Sequence, residues 1–413
     1  SGFVKLGNFN FPFNIKKEST NILGFELYLV EIPELFDRKE VYGYADDIER
    51  FLSFQIATLE WINSRNEVPD VINCHDHHTG LVPFMMEYAF KFEKLKGTPT
   101  VITIHNSIYQ GQFGFDKLYY LPEFDLSKVT FLEWDNRINS LATAIKCASA
   151  VTTVSPNFLN EINNFGFGLE SLFKLVRLKS KGILNGIDTE VWNPEKDKMI
   201  SANYSVRTLE KGKQANKEKL CTQFDLDPTK PLFSFIGRLL DEKGADLLPH
   251  VAALSLSENF AAINILILGS GNVEIENQLS HLVTSFKGHY NVFIGYNEEL
   301  AHQIYAGSDF LLMPSRVEPC GLNQMYSFRY GTIPIVRRTG GLKDTVIDIG
   351  DNGNGICHEQ ASITDVCYSI QRALKLYKDK KSLKNIRKIG MNIDHSWESV
   401  CQEYLEIYHL ISN

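Results

Sequence analysis

Short runs of apolar and β-branched residues alternate along this chain with stretches in which apolar positions recur every three or four residues, the pattern of parallel sheets built from βαβ units. In the first half the runs predict strands at Phe25–Glu31, Asp70–Cys74, Thr100–Ile104, Ala150–Val154 and Lys181–Leu184. In the second half they predict strands at Pro231–Ile236, Ile263–Leu268, Asn291–Ile294, Phe310–Met313 and Ile333–Val336. Helical patterns lie between them, one opening at Asn323 and running to Tyr330, and a last one covering Trp397 to Ile411. The fold class is therefore α/β, with two doubly wound sheets. The opening segment, Phe3 to Ile15, also reads as strands that belong in the middle of a sheet. The rhythm breaks between Asp188 and Pro231, where Trp192-Asn193-Pro194 and the lysine-rich segment Glu210–Lys219 read as hinge and linker. This places a first domain at 1–190, a second at 191–395 and a terminal helix at 396–413. No repeat of 20–50 residues is visible, which excludes a solenoid.

A chain of 413 residues, 44% hydrophobic and 22% charged, is long enough for two separate cores. Its net charge of -8 argues against a general binder of nucleic acid or anionic membrane. Seven cysteines, an odd number with no C-x-x-C pair, suit free thiols in a reducing compartment. No apolar run approaches the length of a membrane span, and the expected location is the cytoplasm. Composition sets no oligomeric state.

In open α/β sheets ligands bind at the carboxyl ends of strands, so the residues just after each strand carry the chemistry. His75-Asp76-His77-His78-Thr79-Gly80 follows one strand, His105-Asn106 the next, and Asn185-Gly186-Ile187-Asp188 a third, which points to a shared site. The three histidines superficially look like a metal cluster. Adjacent residues at such a turn point in different directions, however, and there is neither an H-E-x-x-H motif nor a cysteine partner. The expectation is no metal, and a loop that hydrogen-bonds or contacts sugar. In the second half, Gly237-Arg238 is followed by Lys243-Gly244 on one strand-end loop. Arg238 can grip phosphate oxygens as a fork and Lys243 can add a point charge, although ion pairs with Asp241 and Glu242 are the competing reading. Leu268-Gly269-Ser270-Gly271 does not complete a dinucleotide fingerprint. The segment Ser315 to Leu322 joins a buried strand to a helix and leaves backbone N–H groups free for a diphosphate or sugar hydroxyls, an ordinary βα turn being the alternative.

Taken together these segments resemble the bacterial glycogen synthase and plant starch synthase family, from about Phe25 to Leu410. The matching pieces are His75 to Gly80, Thr103 to Asn106, Val154 to Pro156, Leu184 to Asp188, Gly237-Arg238 with Lys243-Gly244, Glu318 to Leu322 and Arg338 to Gly341. The resemblance implies a GT-B fold, two Rossmann-like domains facing across a cleft, with the terminal helix returning to the first. It implies a retaining glucosyltransferase without a cofactor, with ADP-glucose as donor and the non-reducing end of an α-1,4-glucan as acceptor. By the same resemblance Arg238 and Lys243 stabilise the diphosphate leaving group, and His105 sits against the transferring glucose. Asp76 and Asn185 hold glucose or acceptor. Glu318 and the backbone of Cys320 and Gly321 bind glucose hydroxyls, the amides of Leu322 and Asn323 meet the distal phosphate, and Tyr296 stacks on adenine. Thr339 and Gly340 complete the substrate-binding set.

Two departures from the family pattern stand out. Many retaining GT-B enzymes carry a second Glu eight residues after the first, where this chain has Tyr326. The Lys-x-Gly-Gly-Leu loop with which the family begins does not occur, and the chain opens on Ser1. The expectation is that this chain, as it stands, lacks an opening βα unit and is poorly active or inactive. A UDP-glucose relative and a non-catalytic glucan-binding protein are the readings left in competition.

Overall fold

A strand buried at every position, as Thr100–Ile104 and Phe310–Met313 are, needs a neighbour on each edge and helices on each face. The computed structural model, which describes residues 1–20, 23–258 and 262–412, supplies these neighbours in two compact units. One unit comprises Ser1–Val154, Leu159–Gly182 and the chain from Tyr404; the other comprises Ser155–Phe158 and Ile183–Glu403.

The first unit is built on a four-stranded parallel sheet in the order Ser180–Gly182, Ala150–Thr153, Thr100–Ile104, Ile72–His75. The strand read from Phe25 is not part of it. Tyr28–Glu31 pairs antiparallel with Phe9–Lys17, which pairs antiparallel with Gly2–Leu6 in a separate three-stranded sheet. Only residues 18–27 join Lys17 to Tyr28, and a parallel crossover needs a dozen residues or more. Phe9–Lys17 is the central strand of that sheet and Gly2–Leu6 one of its edges.

In the second unit six parallel strands run in the order Tyr290–Ile294, Asn264–Gly271, Leu232–Leu239, Phe310–Met313, Ile333–Arg337, Ile356–His358. Numbered by their sequence within the unit this is third, second, first, fourth, fifth, sixth, the order of a dinucleotide-binding sheet. Phe233, Phe235, Ile265, Ile267, Phe310, Leu312, Ile333 and Ile335 form one core beneath the helices Leu248–Glu258 and Ile363–Lys378. Connections leave the first and fourth strands in opposite senses, so a crevice opens at their carboxyl ends. The sixth strand, three residues between Gly355 and Glu359, is too short to show a period.

The lysine-rich segment Glu210–Lys219 is not a linker. It lies within the helix Leu209–Gln223, and Lys213 and Lys217 are buried. The Lys213 ammonium donates to the carbonyls of Tyr305, Ala306 and Tyr330 at 3.1–3.2 Å and to Thr332 Oγ1 at 2.7 Å. Lys217 Nζ sits 2.7 Å from Asp309 Oδ2, and Arg387 Nη2 sits 2.6 Å from Asp309 Oδ1. Burial drives the Lys213 pKa well down. Burial also works against the charges of Lys217 and Asp309, yet their attraction outweighs it, raising the lysine and lowering the carboxylate. Lysines in a segment that reads as linker thus anchor a helix to the base of the fourth strand.

Trp192, in the other half of the expected hinge, stacks between His302 and Tyr326 at 3.9 Å from each ring. The terminal helix runs Trp397–Ser412, and in its last turns Tyr408 Oη accepts from Asn73 Nδ2 at 2.9 Å. Asn413, the final residue of the expected 396–413 segment, lies outside the described residues.

Candidate active site

The crevice of the second unit is shaped by glycines that let backbones touch. Gly340 has φ +43°, and a Cβ there would stand 1.9 Å from the carbonyl oxygen of Glu318. A Cβ on Gly341 would stand 2.2 Å from that of Cys320. The Gly341 N–H instead donates to the carbonyls of Glu318 and Pro319, both at 3.1 Å. The Thr339-Gly340-Gly341 turn is therefore a brace laid against the Glu318–Cys320 backbone. On the other side Gly244, at φ +66°, leaves no room for a Cβ, which would meet Pro314 O at 2.3 Å. The Arg316 and Val317 N–H groups both donate to Glu242 O, at 2.8 and 3.1 Å. Motifs far apart in sequence interlock into one rigid rim.

Within that rim Lys243 Nζ donates to Glu318 Oε1 at 2.7 Å, and Ser315 Oγ donates to Glu318 Oε2 at 2.9 Å. Glu318 is buried, so its carboxylate is held at both oxygens and aimed. Arg238, half exposed, pairs with Glu242. The competing ion-pair reading is thus correct for Arg238 and not for Lys243. A recess of about 160 Å³ is lined by Gly237, Lys243, Ser315, Glu318, Leu322 and Asn323 among others. A second, about 250 Å³, is lined by Arg238, Gly269, Ser270, Gly295 and Tyr296 and shares Ile236, Gly237 and Asn323 with the first. Gly269 keeps the second open, since a Cβ would fall 2.2 Å from Gly237 O. At its rim the Tyr296 side chain is 86% exposed, an aromatic face with nothing laid over it by the described residues. Leu322 and Asn323 open the helix Asn323–Arg329, whose first amides have no partner inside the helix. Asn323 Nδ2 ties that end to Ile236 O at 2.7 Å.

Asn185 joins this set, its N–H donating to Cys320 Sγ at 3.4 Å. Burial pushes the Cys320 thiol up to about 12, so it is a neutral acceptor and no nucleophile at neutral pH. Tyr326, eight residues after Glu318, is committed to the Trp192 stack, and burial raises its phenol pKa.

Asp76 and His105 lie together in the first unit. Asp76, at φ +54°, accepts the His105 N–H on Oδ1 at 2.8 Å, and its own N–H donates to Thr103 O at 3.0 Å. His75 Nδ1 stands 2.9 Å from His105 Nε2. Burial, and then the neighbouring His105, lower the His75 pKa. His77 and His78 stack at 3.8 Å against Phe51, and burial drives His77 down to about 4. Both His75 and His77 are neutral at pH 7. Among the described residues no group of three His, Cys, Asp or Glu side chains is placed to hold a metal ion.

The candidate residues thus fall into two sets, Asp76 with His105 in the first unit and all the others in the second. The motifs assign no side-chain role to Ser315, the second anchor of Glu318, nor to Gln324, which donates to the Cys320 and Gly321 carbonyls at 3.2 and 2.8 Å. A hydroxyl three residues before a buried Glu was the available signal.

A doubly wound sheet of this order, with cations and a fixed carboxylate at its switch point, in a chain whose other unit carries its own parallel sheet, is the architecture of GT-B glycosyltransferases. Residues 4–175 match the starch synthase catalytic domain and residues 216–390 match glycosyl transferases group 1. The chain is 72% identical over 410 residues to a glycogen synthase of Flavobacterium johnsoniae, covering 99% of this chain and 87% of that one. It is 39% identical to a glycogen synthase of Geobacillus stearothermophilus, over 93% of this chain and 81% of that one. The catalytic domain of starch synthase IV from Arabidopsis thaliana, solved bound to ADP and acarbose, superposes with a TM-score of 0.91 at 32% identity, covering 100% of this chain and 87% of that one. Sucrose-phosphate synthase from Thermosynechococcus elongatus, at 17% identity and TM-score 0.60 over 91% of this chain and 82% of that one, shares the fold. The chain belongs to the glycogen synthase and starch synthase family, and it is a glycosyltransferase. No helix among the described residues is long and apolar enough to cross a membrane.

Proposed function

We propose that this protein transfers glucose from ADP-glucose to the non-reducing end of an α-1,4-glucan, with retention of configuration. The observation that carries this reading is the pair of joined recesses, one holding the Lys243–Glu318–Ser315 cluster and the other carrying Arg238 and the bare ring of Tyr296. The ADP and acarbose of the starch synthase IV neighbour support a nucleoside diphosphate and a glucan as ligands.

In this account the diphosphate leaves as the glucosyl bond breaks, and negative charge grows on its oxygens. Lys243 and Arg238 stabilise that charge in place. Arg238 exchanges Glu242 for phosphate. An exposed ion pair contributes at most about 1 kcal/mol, so the exchange costs little against a forked phosphate contact. Glu318 takes glucose hydroxyls, its second oxygen still held by Ser315. With Cys320 neutral and buried, the leaving phosphate oxygen itself accepts the proton of the attacking hydroxyl. Asp76 positions His105 through its backbone N–H. The seven cysteines are all free, which supports a reducing compartment such as the cytoplasm.

Donor choice is tested by calorimetry with ADP and UDP. A base stacked on an aromatic side chain contributes about 1–3 kcal/mol. ADP should bind more tightly than UDP, and Tyr296→Ala should weaken ADP by about 5- to 150-fold while narrowing the gap between the nucleotides. Unchanged ADP affinity in the variant would remove Tyr296 from the site, and tighter UDP than ADP would replace the donor.

A further inference from the structure

The second unit contains another recess, of about 820 Å³, that shares no lining residue with either donor recess. One wall is the helix Ile363–Lys378, which presents Tyr368, Arg372 and Lys375, positions i, i+4 and i+7 on one face. The other is the helix Lys380–Met391, presenting Lys381, Asn385 and Ile389 at i, i+4 and i+8. A helix that follows a parallel strand runs back toward the amino ends of the sheet. The later turns of Ile363–Lys378 and the loop of Asn352 and Gly353 before the sixth strand therefore lie toward the edge opposite the donor site.

Charge is concentrated here against the trend of the molecule. Residues 371–388 hold eight cations and one carboxylate, Asp379, in a chain whose net charge is -8. That carboxylate is already engaged, accepting from Ser382 N at 3.1 Å and Ser382 Oγ at 2.7 Å as the cap of its helix. Arg387 is committed to Asp309, and Lys380 lies over the Tyr377 ring at 3.5 Å. Arg372 is gripped by both oxygens of Asp348, at 2.5 and 3.0 Å, which fixes its fork at the wall. Lys375 and Lys381 line the recess from opposite helices, both exposed; Asp379, which also lines it, attracts Lys381, and no ion pair to a carboxylate is seen for either lysine among the described residues. Beside them Tyr368 is 64% exposed and Ile389 39% exposed, offering a ring face and an apolar floor.

We propose that this recess is a second ligand site, one that takes a small phosphate ester, its organic body on Tyr368 and Ile389 and its phosphate between Lys375 and Lys381. A neutral sugar chain could use the ring but would leave the excess positive charge of these two walls unanswered, whereas a phosphate dianion answers it. The assignment is independent of the donor reading, because none of its residues serves that site.

Calorimetry on the whole chain with glucose 6-phosphate, AMP and inorganic phosphate tests the proposal and separates a hexose phosphate from a nucleotide. At least one ester should bind, the double substitution K375Q/K381Q should weaken it tenfold or more, and Tyr368→Ala should weaken it several-fold. Both substituted surfaces are exposed, and the thermal midpoint of K375Q/K381Q should match that of the native chain. Failure of both esters to bind, or binding that K375Q/K381Q leaves unaltered, overturns the proposal. So does inorganic phosphate binding as tightly as either ester, which would mark an adventitious anion only. Maltoheptaose binding that Tyr368→Ala abolishes, with neither ester bound, would reassign the recess to neutral glucan.

Discussion

Replacing Lys243 with alanine is expected to lower kcat/KM for ADP-glucose by about a thousandfold while weakening ADP itself by only about tenfold. The difference follows from where charge develops. Lys243 meets one diphosphate in the ground state but a growing charge in the transition state, and removing one such stabilising group typically costs about 3–4 kcal/mol in the chemical step. Its removal also strips Glu318 Oε1 of its partner and leaves a buried carboxylate anchored through Ser315 alone. Steady-state transfer together with ADP calorimetry separates the two effects. A kcat/KM within about threefold of the native value would mean that Lys243 positions Glu318 and does no more.

Gly340→Ala should be as damaging without touching any side chain of the site. The added Cβ would lie 1.9 Å from the Glu318 carbonyl oxygen, at a φ of +43° that alanine adopts only with strain. The backbone of the Glu318 to Cys320 segment must move, and with it the carboxylate and the Leu322 and Asn323 amides. The expected loss is at least 100-fold in kcat/KM, with about 2–4 kcal/mol of stability. Gly288→Ala is the matched control. Gly288 has φ +86° but open space within 4 Å, so it carries the conformational strain, about 1 kcal/mol, without the collision. Equal behaviour of the two variants in activity and urea unfolding would refute the bracing role of Gly340.

These two residues show what the sequence could and could not disclose. Thr100–Ile104 and Phe310–Met313 were legible to the residue because unbroken apolar runs end sharply at polar loops. The apolar run of the second unit's first strand stops at Ile236, yet Gly237, Arg238 and Leu239 continue the ladder opposite Gly269, Ser270 and Gly271. Neither glycine nor arginine carries a strand signal. Lys213 and Lys217 sit in a segment that reads as linker because nothing local reveals the carbonyls of Tyr305 and Ala306 or the carboxylate of Asp309, nearly a hundred positions away. The site motifs were visible because chemistry in this fold sits on strand-end loops. Their interlocking was not, since the Lys243–Glu318 pair and the Gly340 brace join segments that periodicity treats as unrelated.

The central claim is most directly tested by glucosyl transfer to maltoheptaose from ADP-glucose and, separately, UDP-glucose. The assay is run on this chain, with the new linkage read by NMR. The account predicts α-1,4-linked product from ADP-glucose in preference to UDP-glucose. Absence of transfer from either donor, while maltoheptaose still binds, would contradict it and withdraw the roles given to Arg238, Lys243 and Glu318.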